Sequence, residues 1–125
     1  MLQRIYGTAF PKQSDLEERT LQFAKAVRQF VKKLPKTIGN IEDGKQLIKA
    51  SGSVGANYIE ANESLSKKDF SMRAKISRKE AKESRYWLKL VDTHDNMEIE
   101  SERIALINES TELMNIFGSI LQKFK

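Results

Sequence analysis

The chain has 125 residues, of which 39% are hydrophobic and 31% charged, and a formal net charge of +5. That length fits one domain spanning residues 1–125 with a real core and little left for a second; the lack of cysteine excludes disulfides and thiolate metal sites, and the single His94 excludes imidazole clusters. No apolar run approaches the roughly 20 residues that cross a bilayer, and the N-terminus has no signal-peptide apolar region, so a cytoplasmic protein without membrane contact is expected.

The first dozen residues, through Pro11 and Lys12, read as an irregular lead-in. Ser14-Asp-Leu-Glu17 then has the form of a capping box, in which the serine hydroxyl accepts from the Glu17 amide. Leu16, Thr20, Phe23, Val27, Phe30 and Leu34 follow at spacings of three and four, which is one stripe of an amphipathic helix. Pro35 stops it, since its ring cannot continue the hydrogen-bond ladder. This predicts a first helix over about 14–34.

A second helix is predicted over 38–65, with two stripes. Leu47, Ser51, Val54, Tyr58, Ala61 and Leu65 form one; Ile41, Ile48, Gly52, Gly55 and Ile59 form another about 100° around the axis. Each interior glycine costs about 1 kcal/mol against alanine. Gly44, Gly52 and Gly55 therefore imply either close approach of another backbone or a break in the helix. Ser66-Lys-Lys-Asp69 caps a third helix over about 67–94, whose core stripe is Phe70, Ala74, Ser77, Ala81, Ser84, Leu88 and Val91. A fourth over about 100–124 carries Ile104, Ile107, Ser110, Met114, Phe117, Leu121 and Phe124. Strand alternation and hairpin signals are missing. Four helices with short connections predict an all-α, antiparallel, up-and-down four-helix bundle.

Charge is segregated along the chain. Lys25, Arg28, Lys32, Lys33 and Lys36 form a basic block, while from Asp92 to Glu112 acids dominate and Arg103 is the one basic residue. On helix three, Lys75, Arg78, Lys82, Arg85 and Lys89 flank the core stripe as a basic ridge. Such a ridge is either a solvated face or a track for phosphates, favoured by counterion release. Without an aromatic ladder among the lysines, any nucleic acid would be held by its backbone rather than read by base stacking. The opposite flank carries Ile76, Glu80, Glu83, Trp87 and Leu90. There the tryptophan either lies over aliphatic stems, with the acids paired to Lys79 or Arg73, or belongs to a subunit interface together with Ile48, Gly52, Gly55 and Ile59.

A carboxylate-bridged metal site needs Glu-x-x-His pairs, which Asn57, Glu60, Glu80, Glu83 and His94 do not form. Catalytic triads, phosphate loops and zinc motifs are missing as well. No cofactor and no enzymatic activity are expected.

The stretches Ser51-Gly-Ser-Val-Gly-Ala-Asn57-Tyr-Ile-Glu60, Lys68-Asp69-Phe70 and Ile76-Ser-Arg-Lys-Glu80-Ala-Lys-Glu83-Ser-Arg-Tyr-Trp87-Leu88 resemble the bacterial four-helix-bundle proteins encoded in intervening sequences of the 23S ribosomal RNA gene. The resemblance is specific over helices two and three, where Ser51, Asn57, Glu60, Asp69, Phe70, Glu80, Glu83 and Trp87 match its motif positions. It implies a non-enzymatic bundle assembling as a ring-like homopentamer. It also implies distant kinship with accessory proteins of diversity-generating retroelements, whose basic surfaces bind nucleic acid and a reverse transcriptase. The functional expectation is therefore an oligomer that binds RNA or DNA backbone through Lys25, Arg28, Lys32, Lys75, Arg78, Lys82, Arg85 and Lys89. The alternative is a structural or adaptor protein with a protein partner and no nucleic-acid role.

Overall fold

A computed structural model of the chain describes residues 15–124. Four helices follow one another: α1 (Leu16–Lys33), α2 (Ile38–Asn62), α3 (Lys67–Leu90) and α4 (Met97–Gln122). Each packs on its chain neighbours, and α4 returns to close on α1, with α2–α3 the most extensive contact and α1–α4 the sparsest. Antiparallel pairing is visible in the partners. Thr20 and Val31 of α1 meet Gly55 and Gly44 of α2, while Arg85 and Arg78 of α3 meet Thr111 and Gly118 of α4. This is the up-and-down bundle expected from the pattern.

The helix ends have local causes. The side chains of Thr37, Ser66 and Asn96 accept hydrogen bonds from the amides of Asn40, Asp69 and Ile99, so α2, α3 and α4 each start on a side-chain cap. The proposed Ser14 cap lies outside the described residues. α2 ends at Asn62, leaving Leu65, assigned above to its core stripe, 99% exposed in the connection. α3 ends at Leu90 rather than 94, because His94 and Asp95 adopt left-handed φ angles of 53° and 58° in the turn to α4. With Asn96 as its cap, α4 begins three residues earlier than expected.

Of the four core stripes, that of α1 is buried throughout, and that of α3 is buried from Ala74 to Val91. On α4 the assignment needs correction. Ser110, Phe117 and Leu121 of the expected stripe are buried and Ile107 and Met114 pack against the core, but Ile99, Leu106, Leu113 and Ile120 are core residues outside it, whereas Ile104 is 55% exposed and Phe124 38%. Because α4 carries isoleucines around much of its circumference, hydrophobic spacing alone could not choose the inward face.

Small residues decide how closely the helices approach. The Ser77 hydroxyl in the α3 seam donates to the Val54 carbonyl of α2 at 2.8 Å, which satisfies a fully buried side chain and joins two backbones. At one end of the bundle, buried Asn40 ties two connections together. Its amide donates to the carbonyls of Pro35 and Asp92, and its carbonyl oxygen accepts from the Asp92 amide. Arg103 completes that end, donating to the Leu88, Lys89 and Val91 carbonyls while held by Glu100.

Arg19 and Glu109 close the bundle. Both are buried, and the guanidinium donates to the two carboxylate oxygens at 2.7 and 2.8 Å, with a third bond to Glu112 at 2.8 Å. Burial acts to lower the Arg19 pKa, but the hydrogen bonds to Glu109 and Glu112 outweigh it and hold it above its ordinary value. Desolvation keeps the Glu109 carboxyl above the usual glutamate value, against the opposing pull of Arg19. The forked geometry is that of an ionised pair. Arg19→Met strands a buried carboxylate and is expected to destabilise the protein by about 3–5 kcal/mol. Adding Glu109→Leu should recover most of that loss, as read from urea unfolding midpoints.

Candidate functional site

The expected nucleic-acid and interface residues fall on three separate surfaces. Ile41, Ile48, Gly52, Gly55 and Ile59 of α2 turn toward α1 of the same chain. A Cβ added to Gly55 would lie 2.6 Å from Thr20 Oγ1 and 3.1 Å from Thr20 Cβ, and one on Gly44 would lie 3.2 Å from Val31 Cγ1. Close backbone approach, rather than a helix break, thus explains two of the glycines. The second apolar face of α2 finds its neighbour inside the chain, so Gly55 needs no second subunit to account for it. Outside that contact, Leu21, Ala24, Ala56 and Ile59 line an apolar groove of about 350 Å³ between α1 and α2.

Lys25 and Arg28 stand at the edge of this groove beside Glu17, and Arg28 Nη1 donates to the Ala24 carbonyl of its own helix. Lys32 is exposed, while Lys33 pairs with Glu102 of α4 at 2.8 Å. The first basic block is therefore divided among several surroundings.

The α3 ridge lies elsewhere. Lys75, Arg78, Lys79 and Lys82 line one wall of an open groove of about 810 Å³, and Met114, Asn115, Gly118, Ser119 and Gln122 of α4 line the other. In an α1-α2-α3-α4 cycle this groove is on the side of the bundle opposite the α1–α2 groove, so the two basic clusters do not merge into one track. Lys75, Arg78, Lys82 and Lys89 are exposed and make no ion pair among the described residues. Arg85 departs from the ridge. It is half-buried, and its guanidinium donates to Thr111 Oγ1 at 3.2 Å, which binds α3 to α4.

The third surface is the other flank of α3. Trp87 is half-buried against the edge of the core and meets exposed Tyr86 edge-to-face at 5.0 Å. Half-buried Ile76 and Glu80 and exposed Glu83 lie along the same flank. Burial, reinforced by the neighbouring Glu83 charge, pushes the Glu80 carboxyl above its ordinary value, and Lys79 and Lys49 partly offset this. Arg73 is not their partner, because it donates to Asn57 at 3.1 Å. Exposed Met72, Tyr86 and Leu90 leave apolar surface uncovered along α3.

Sequence spacing found the ridge but missed the Arg19–Glu109 pair, since neither residue stands out on its own helix. Among the described residues, no three histidine, aspartate or glutamate side chains are grouped to hold a metal ion, and no helix is long and apolar enough to cross a membrane.

A model of the family described as 23S rRNA-intervening sequence protein matches residues 12–119. The chain is also similar to a solved protein of unknown function from the S23 ribosomal protein family of Bacteroides thetaiotaomicron VPI-5482. The two are 28% identical, with a TM-score of 0.72 over 84% of this chain and 96% of that one. No curated protein gives a match.

The glycine contact is directly testable. Gly55→Ala should gain about 1 kcal/mol of helix propensity yet destabilise the protein on balance, because overpacking costs about 1–3 kcal/mol. Thr20→Ala, which removes the clashing hydroxyl, should restore stability to the double variant in thermal melts.

Proposed function

On the premise that the chain belongs to the 23S rRNA-intervening sequence protein family, we propose that it is a non-catalytic, oligomeric bundle that binds RNA or DNA through backbone charge. The observation that carries this reading is the ridge of Lys75, Arg78, Lys82 and Lys89, four exposed cations on one helix flank with no ion-paired acid among the described residues. Cations already paired within a protein release nothing when an anion arrives. Unpaired cations in a row exchange bound counterions for phosphates and gain entropy in doing so. The formal charge of +5 attracts a polyanion from a distance at low salt.

Self-assembly is supported by the α3 flank. Tryptophan and tyrosine together with Met72 and Leu90 supply the aromatic and apolar character enriched at subunit contacts. Ile76, Glu80, Glu83 and Trp87 are the residues that such a contact would cover. A homopentamer is the assembly that the family resemblance favours, and a ring would repeat the α3 ridge around its surface.

A salt series of binding to RNA and DNA, repeated with Lys75, Arg78, Lys82 and Lys89 changed to Glu, tests the binding. Affinity should fall steeply with salt in the native protein and collapse in the variant. No binding at low salt, or unchanged affinity in the variant, would refute it and turn attention to a protein partner. Light scattering should give a multiple of the 14.4 kDa chain mass; a monomer would remove the assembly from the proposal.

A further inference from the structure

Resting on that reading, we infer that the phosphates are held in the groove between α3 and α4 rather than by the diffuse charge of the surface, and that one strand's phosphodiester backbone lies along it. Lys75, Arg78, Lys79 and Lys82 follow one another along one wall. At a rise of about 1.5 Å per residue the array is about 10 Å long, enough to run beside a short stretch of one strand's backbone.

The α4 wall gives the groove its chemistry. Although the first half of α4 is acidic, the residues that face the ridge are Asn115, Gly118, Ser119 and Gln122, none of them charged. Nothing across the groove neutralises the cations, and the amides and hydroxyl add neutral donors for phosphate or ribose oxygens. Gly118 leaves the floor open. The nearest atom to a Cβ built there is Arg78 Nη1 at 3.9 Å, so the guanidinium lies over a helix surface without a side chain. The groove contains no aromatic ring, so bases are left unstacked and binding is insensitive to sequence.

The α1–α2 groove makes the contrast. It has Lys25 and Arg28, but Leu21, Ala24, Ala56 and Ile59 make it apolar and Glu17 adds an acid. Phosphates have little to gain there.

Titration of a fluorescently labelled oligouridylate separates groove from field. Lys75→Gln with Lys82→Gln should weaken binding at least about tenfold and make the slope of log affinity against log salt shallower by about 1.4, about 0.7 for each lost contact. Gly118→Leu fills the groove without changing charge and should weaken binding to a similar extent. Should that variant melt early, Ser119→Glu at an exposed groove position can be compared with Gln29→Glu, exposed on α1, which changes the net charge equally. Loss with Ser119→Glu and near-native binding with Gln29→Glu supports the groove. Equal losses overturn the groove while leaving charge-driven binding intact, and no binding by the native protein at low salt overturns both.

Discussion

The buried fork of Arg19 on Glu109 is the constraint around which the bundle is arranged. The α1–α4 seam is the sparsest of the four helix contacts, and it carries the two charges that can least tolerate separation. A lone buried carboxylate is expensive and a paired one is not, so the arginine requires Glu109 to face inward. That sets the rotation of α4 about its axis. With Glu109 and Glu112 turned toward α1, the helical advance of 100° per residue places Thr111, Met114 and Gly118 on the flank toward α3. The wall of the α3–α4 groove is thus a consequence of an ion pair on the other side of the same helix.

Close approach in the rest of the bundle comes from small side chains. Gly55 and Gly44 let α1 settle on α2, and the Ala74, Ser77, Ala81 seam brings α3 to α2 closely enough for a serine to reach a backbone carbonyl. Helices this close leave long charged side chains on their flanks to meet solvent or one another. Where acids are within reach, as for Lys33 and Glu102, they pair. Along the α3 ridge, Lys75, Arg78, Lys82 and Lys89 form no ion pair with any described residue.

Electrostatic segregation therefore has a structural counterpart. Of the acids of α4, Glu109 pairs with Arg19 in the core, while the more exposed Glu112, Glu102 and Glu100 are held by Arg19, Lys33 and Arg103. The second half of α4 carries none against the ridge. An overall charge of +5 understates the local field, since acids and bases do not cancel where they are not adjacent.

Hydrophobic spacing by itself determined the number of helices, their order and the core stripes of α1, α2 and α3, because apolar residues recurring with a period of 3.6 residues share one face of a helix. The Ser66 cap marked where α3 begins, whereas the caps at Thr37 and Asn96 emerged only in the structure. Motif residues between Ser51 and Leu88 were enough to identify the family. The inward face of α4 was only partly legible in its own pattern, since its apolar residues extend around much of the axis, and its buried Glu109 is matched by an arginine 90 residues away in the chain. Nor could linear charge order show that Lys25 and Arg28 border one groove and Lys75, Arg78 and Lys82 another. Which cations share a surface depends on how the helices are arranged around the core, and only the tertiary structure decides that.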